Sequence, residues 1–181
     1  MALEHRSRCR WAIPTLIPLN IQIIEELEFK KIEASRRAIA HDYARKFAVL
    51  DLGDSLSCYG LSWQSELVEP IVELSSDERA VWVGVDQQIA AICLSQGQIR
   101  LSLALNSNLV QILVEEKLTA VLTEDEILLF NPDFSIRLIK GLPDLAEEIV
   151  MADESGFEIR LMSGESLFVD AQTGAFLSKV A

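Results

Sequence analysis

The sequence is poor in the residues that most often carry chemistry, with two histidines, three cysteines and eight glycines in 181 residues. Neither His5 nor His41 has a cysteine or carboxylate at metal-ligand spacing on its own element, so no zinc site is indicated. Cys9, Cys58 and Cys93 form no CxxC pair, which argues against a disulfide framework and favours buried thiols in a reducing cytoplasm. We therefore predict neither a metal nor a cofactor.

Motifs of catalysis and phosphate binding are also missing. The chain has no Gly-x-Ser-x-Gly element and no glycine-rich phosphate loop. His41 and Asp42 are adjacent, and neighbouring residues on a helix point about 100° apart, so they do not form a facing dyad. The sequence favours a non-enzymatic protein and leaves an enzyme as the alternative.

No uncharged run reaches about 18 residues, so we predict no transmembrane helix and no membrane partner. Three arginines precede an apolar run over residues 11–24, as in a signal peptide. Pro14 and Pro18 interrupt that run, and no small-residue cleavage site follows it. We expect it to belong to the mature, cytoplasmic protein.

The formal net charge of −12 is unevenly distributed. Residues 1–46 hold nine Lys/Arg against six Asp/Glu, a net of +3, whereas residues 47–181 hold seven against 22, a net of −15. A body this acidic repels phosphate backbones, so we predict no nucleic-acid binding through it and favour a basic protein partner. Hydrophobic residues make up 50% of the chain, and this apolar composition predicts a homodimer.

An internal repeat organises the chain. Residues 148–179, within the stretch 148–180, superimpose on residues 109–140 at an offset of 39, with the apolar positions in register. Shorter matches, at offsets of 29 and 33, place four copies near residues 48, 81, 110 and 149. Each copy alternates apolar and polar residues around polar turns, which is typical of antiparallel hairpins. We predict a mainly β body over residues 47–181, built as a small or partial propeller or as an up-and-down barrel.

The residues before the body have a different pattern. The segment 21–46 lacks glycine and proline, and its apolar residues fall roughly on one helical stripe. We predict that residues 1–46 form an arm followed by an amphipathic helix, although Ile21-Gln22-Ile23 could equally begin as a strand.

One strand and turn resemble a known family. Residues 167–177 run from an apolar strand through Asp170-Ala-Gln-Thr-Gly174 directly into the next strand. This is similar to the blade-closing motif of quinoprotein-type β-propellers, and residues 94–99 resemble a shortened version that includes Gly97. Asp170 would cap the turn through backbone amides, and Gly174 and Gly97 would take a positive φ. The tryptophan that usually closes the motif is replaced by Leu177 or Ser178, and quinone-dependent oxidation does not fit so small a body.

Acidic turns and one tryptophan are the candidate partner-binding residues. Trp82 alternates with Val81 and Val83, so it faces either a second core or a partner. The acidic residues match no calcium loop, and their recurring positions predict solvated turn tips or one acidic rim. The acidic candidates are Glu115, Glu116, Glu124, Asp125, Glu126, Asp153 and Glu154.

These observations favour a protein–protein interaction module whose acidic β-repeat body binds a basic partner. An immunity or inhibitor protein that neutralises a basic toxin or nuclease is a narrower form of this hypothesis. The alternative is a ligand-binding protein or enzyme with a pocket in the centre of a propeller or barrel.

Overall fold

The protein forms four separate four-stranded sheets in a computed structural model that describes residues 19–53, 58–75, 77–153 and 156–177. The described strands of successive sheets pack through their side chains and do not pair with one another, so the predicted mainly β, propeller-like arrangement is confirmed and the barrel alternative is wrong. None of the described helices is long and apolar enough to cross a membrane.

The first sheet departs from a simple meander. Its strands are β1 (Asn20–Ile23), β2 (Arg37–Ile39), β3 (Lys46–Asp51) and β4 (Cys58–Trp63). Their spatial order is β1-β3-β4-β2, and β2 pairs with β4 in parallel. Residues 20–39 thus supply two of the four strands, and the predicted domain boundary at residue 47 falls within this sheet.

The predicted N-terminal amphipathic helix is wrong. The segment contains β1, a single helical turn α1 (Glu26–Phe29), a 3₁₀ turn (Ala34–Arg36) and β2. Pairing of β1 with β3 overrides the helix propensity, as tertiary contacts often do. The Arg37 guanidinium donates to the carbonyls of Lys30 and Ile32 and so stabilises the turn after α1. The alternative of a strand at Ile21–Ile23 is correct.

The other three sheets are regular antiparallel meanders. The second contains β5 (Ile71–Leu74), β6 (Ala80–Val85), β7 (Gln88–Cys93) and β8 (Gln98–Ala104). The third contains β9 (Leu109–Val114), β10 (Thr119–Thr123), β11 (Glu126–Phe130) and β12 (Ile136–Gly141). The fourth contains β13 (Ala146–Asp153), β14 (Gly156–Leu161), β15 (Ser166–Asp170) and β16 (Phe176–Leu177).

This layout corrects two of the four repeat starts. The copies predicted near 110 and 149 coincide with the first strands of the third and fourth sheets. The copy predicted near 81 coincides instead with β6, the second strand of its sheet, and the one near 48 with β3. Every strand of a meander alternates with the same period of two, so a repeat matches equally well when it is shifted by one strand. The pattern therefore cannot identify which strand begins a sheet.

Each of the two middle sheets is apolar on both faces. On β6, Val81, Val83 and Val85 belong to the core shared with the first sheet, whereas Ala80 and Trp82 belong to the core shared with the third. A further core lies between the third and fourth sheets. Strands buried on both faces explain why runs such as Ala80–Val85 are continuously apolar.

Candidate functional site

The connecting segments between successive sheets lie at one end of the array, together with the central hairpin turns of the second to fourth sheets. Backbone hydrogen bonds from Leu105 and Leu109 to the 86–87 turn, and from Leu142 and Ala146 to the 124–125 turn, fix this arrangement. We call this end the linker face. It comprises residues 64–70, 86–87, 105–108, 124–126, 142–147 and 162–165.

The segments that form the linker face carry charge of one sign, although Arg45 and Lys46 reach them from the start of β3. These segments contain nine acidic residues and no Lys or Arg. Of these nine acids, only Glu66 and Glu69 form an ion pair within the described part of the chain, with Arg45 at 3.3 Å and with Lys46 at 2.7 Å. The acids without such a pair are Asp86, Glu124, Asp125, Glu126, Asp144, Glu147 and Glu165.

The acidic 124–126 turn is held by neutral partners from the preceding linker. Asn106 Nδ2 donates to both carboxylate oxygens of Glu126, at 3.0 and 3.2 Å. The Ser107 hydroxyl donates to Asp125. Asn108 donates to Glu124 through Nδ2 at 3.1 Å and through its backbone N–H at 3.4 Å. Three successive donors therefore order three successive carboxylates without neutralising them, which leaves a pre-organised negative turn.

A groove of about 460 Å³ lies beside this turn. Asp86 and Glu124 stand on its walls together with the apolar side chains of Val68, Leu109 and Val110. Asp86 Oδ2 also accepts the backbone N–H groups of residues 64 and 65, at 2.8 and 3.0 Å, so it ties the first linker to the second sheet. The groove combines apolar walls with uncompensated carboxylates.

Large apolar side chains project from the same face. Leu67 is 96% exposed and Met162 is 69% exposed. Leu145 lies next to Met162, because the Met162 N–H donates to the Leu145 carbonyl at 2.8 Å. Leu145 and Met162 thus place two exposed apolar side chains next to each other at the linker face.

The other turns lie at the opposite end, which we call the hairpin face. It comprises residues 75, 77–79, 94–97, 115–118, 131–135, 153 and 170–175. Glu115 and Glu116 lie here, in the turn that precedes β10, whereas Glu124–Glu126 lie in the turn that follows it. Asp153 ends β13 at this face with its side chain outside the described residues, and Glu154 lies wholly outside them. The predicted acidic candidates therefore do not share one rim.

Trp82 is a buried residue that packs in the core between the second and third sheets. It is 2% exposed, and its ring lies 5.0 Å from that of Phe130 and 5.9 Å from that of Phe134. The sequence left open whether Trp82 faces a second core or a partner. The structure places its side chain in the core shared with the third sheet. Trp82 borders a small cavity at the hairpin face.

The predicted turn residues have the expected local geometry. Gly174 has a φ of 67° and Gly97 a φ of 58°. Asp170 Oδ1 accepts the backbone N–H of Thr173 at 2.6 Å and that of Gln172 at 3.0 Å. The Thr173 hydroxyl, followed by these amides, lowers the pKa of the Asp170 carboxyl.

Sequence reasoning missed most of the linker face. It selected Glu124, Asp125 and Glu126 but not Asp86, Leu67 or the donors at residues 106–108. The Asn-Ser-Asn sequence at 106–108 could have indicated a capping linker, since such side chains often bond nearby backbone and carboxylates. Nothing local in the sequence shows that it meets a turn 16 to 20 residues away.

The described residues contain no group of three or more His, Cys, Asp or Glu placed to hold a metal ion.

Comparison with known proteins supports the fold. No protein-family model and no curated protein matches the sequence. Saccharomyces cerevisiae Sqt1 is similar in structure, with a TM-score of 0.56 and 14% identity over 75% of this chain and 43% of that one. The N-terminal domain of Nup159 gives a TM-score of 0.46 and 6% identity over 59% of this chain and 33% of that one. The likeness to Sqt1 shows a propeller-like fold. This chain spans less than half the length of the Sqt1 chain.

Proposed function

We propose that this protein is a protein-interaction module whose linker face binds a basic, amphipathic segment of a partner protein. The observation that carries the proposal is the juxtaposition of uncompensated carboxylates and exposed apolar side chains on one end of a rigid β array. A propeller-like scaffold is compatible with many functions, so this surface, and not the fold, supports the proposed function.

Charge complementarity selects the partner. Seven acids of the linker face have no ion pair among the described residues, and Lys or Arg side chains are their natural partners. The groove beside Asp86 and Glu124 suits such side chains because Val68 and Leu109 can pack against an aliphatic stem while the carboxylates bind its charged end.

Apolar contacts supply the second component. Leu67, Leu145 and Met162 are 96%, 47% and 69% exposed, so a partner can remove much apolar surface from water by covering them. Two copies of this chain would place like charges opposite each other at this face, so a homodimer would have to use another surface. An immunity or inhibitor role is a narrower form of the proposal, in which the basic partner is a toxin or nuclease.

The test uses a fluorescent amphipathic peptide of lysine and leucine and compares binding to three proteins. The first is the wild type, and the second is the linker variant Glu124→Gln/Asp125→Asn/Glu126→Gln, which removes charge and retains size. The third is the matched control Glu115→Gln/Glu116→Gln on the hairpin face. Fluorescence anisotropy gives each Kd, and thermal melting checks that each variant is folded.

We expect the linker variant to bind about tenfold more weakly, because three exposed charge pairs contribute about 0.5 kcal/mol each. The control should remain within about twofold of the wild type, since a 0.4 kcal/mol change is about a factor of two. Leu67→Ser/Met162→Ser should weaken the lysine–leucine peptide but not a lysine-only peptide. Equal losses in the linker variant and in the hairpin control would overturn the proposal, as would no loss in either.

A further inference from the structure

A cavity of about 170 Å³ lies between the second and third sheets at the hairpin face, away from the linker face. Trp82 and Thr119 lie at its inner end, and Phe134 and Pro132 belong to the turn between β11 and β12. Cavities of roughly this size, about 150 Å³, admit a single benzene ring when their walls are apolar.

Two buried polar groups in this cavity have no partner among the described residues. Trp82 is 2% exposed and Thr119 is 5% exposed, yet neither the indole N–H nor the threonine hydroxyl makes a hydrogen bond there. No fully enclosed side-chain nitrogen or oxygen in the described structure lacks a partner, so both groups are accessible to solvent, and both residues line the cavity.

A second buried tryptophan and a second buried threonine, by contrast, both have hydrogen-bond partners. Trp63 is 1% exposed and donates its indole N–H to the Val68 carbonyl at 2.9 Å. Thr123 is fully buried, and its hydroxyl accepts the Glu126 N–H at 3.0 Å and donates to the Glu126 carbonyl at 3.2 Å. Buried polar groups are normally satisfied in this way, because leaving them unpaired is unfavourable.

The lining defines the class of ligand. An indole N–H is only a donor, so it requires an acceptor such as a carbonyl oxygen. Glu115 and Glu116 also line the cavity and disfavour an anion, whereas Asp77 and Arg79, which form an ion pair at 3.4 Å, offset each other in charge. A cation would bring no acceptor to the indole. The remaining chemistry is a neutral ring or compact apolar group that carries an amide carbonyl.

We propose that the cavity between Trp82, Thr119 and Phe134 binds a neutral aromatic amide, with its ring against the apolar walls and its carbonyl accepting from Trp82 and Thr119. The amide belongs either to a free small molecule or to a phenylalanine-containing peptide, which present the same ring and carbonyl. This site is independent of the linker face and of the basic partner.

The experiment follows the indole N–H resonances of ¹⁵N-labelled full-length protein during titration with benzamide, benzoate, benzene and N-acetylphenylalaninamide. We expect benzamide to shift the Trp82 indole resonance and leave that of Trp63 in place. Benzene has no acceptor and should bind at least about threefold more weakly, since one lost neutral hydrogen bond corresponds to about a threefold to tenfold change. Benzoate keeps its acceptor oxygens but should also bind more weakly, because the Glu115 and Glu116 carboxylates repel its charge. Tighter binding of N-acetylphenylalaninamide than of benzamide identifies a peptide as the natural source, and the reverse identifies a small molecule.

The variant Thr119→Val removes one hydroxyl at nearly constant volume. It should bind benzamide about threefold to tenfold more weakly and benzene equally well. If the variant is poorly folded, the ligand series on the wild type is decisive by itself. Equal shifts with benzamide, benzoate and benzene would overturn the proposal. An unchanged Trp82 resonance with every ligand would also overturn it, because the cavity would then hold water alone.

Discussion

The two ends of the sheets differ in charge although both are made of polar turns. The linker face has nine acids and no Lys or Arg, and neutral donors order its 124–126 turn. The hairpin face mixes acids with Arg79 and Lys117, and three of its aspartates, Asp77, Asp133 and Asp170, accept hydrogen bonds from hydroxyl and amide groups within their own turns. The same kind of acidic turn therefore serves local structure at one end and leaves net charge available to a partner at the other.

The largest expected difference between the two ends is the loss of folding stability when one glycine at each end is replaced by valine. Gly174 on the hairpin face has a φ of 67°, and a Cβ there would overlap the side chain of Leu138. Gly164 on the linker face has a φ of 86° and open space around it. Gly174→Val combines backbone strain with overpacking and should destabilise the fold by about 2–5 kcal/mol. Gly164→Val has strain alone and should cost about 1–2 kcal/mol.

Urea unfolding of both variants measures this difference. An equal loss in the free energy of unfolding for Gly164→Val would show that the space around the 162–165 turn is not open. An unchanged midpoint for Gly174→Val would instead show that the packing of the 170–175 turn against Leu138 is wrong.

Asp86, a carboxylate of the linker face, should also contribute to stability, because it connects the first linker to the second sheet. Its Oδ2 accepts two backbone N–H groups from the first linker, at 2.8 and 3.0 Å. Asp86→Ala removes both bonds, and we expect a loss of about 1–3 kcal/mol in the free energy of unfolding. Asp144→Ala on the same face, where the carboxylate bonds only its neighbouring Leu145 N–H, is the matched control and should lose less. Equal losses would argue against the inter-sheet tie.

Acid should reveal the local role of Asp170. The Thr173 hydroxyl and nearby backbone amides lower its pKa in the folded state. The ionised carboxylate therefore adds stability above the unfolded value of about 3.9, and this contribution disappears as the pH falls through the folded-state pKa. Asp170→Asn should melt below the wild type at neutral pH, and the two should converge in acid. A melting difference that is independent of pH would contradict the proposed cause.

The smallest expected effect is a difference in the alkylation rates of two thiols, Cys58 and Cys93. The segments of the linker face contain no cysteine. The Ser95 hydroxyl, with backbone amides and Arg100, lowers the pKa of Cys93. Burial, followed by Asp51, raises the pKa of Cys58. Near neutral pH iodoacetamide should therefore modify Cys93 faster than Cys58, although Cys58 is the more exposed. Peptide mass spectrometry measures both rates, and faster reaction at Cys58 would refute the prediction.

The sequence was most informative where structure is local. Alternating apolar residues predicted the strands of the third and fourth sheets, and Asp170 with Gly174 predicted a tight turn. Helical periodicity over residues 21–46 was misleading, because β1 and β2 pair with strands that come later in the chain. The acidic candidates were selected by composition, which did not distinguish the 124–126 turn of the linker face from the 115–118 turn and the end of β13 at the hairpin face.

The sequence alone determined the β content, the excess of acid in the body and the conformation of individual turns, since each depends on neighbouring residues. Only the tertiary structure decided that each sheet has four strands and that Trp82 is buried. It also decided which acidic turns share an end. The physical reason is parity: successive turns of a meander lie at opposite ends, so a turn's location depends on how many strands precede it in its sheet. Long-range pairing sets that number, and no local pattern encodes it.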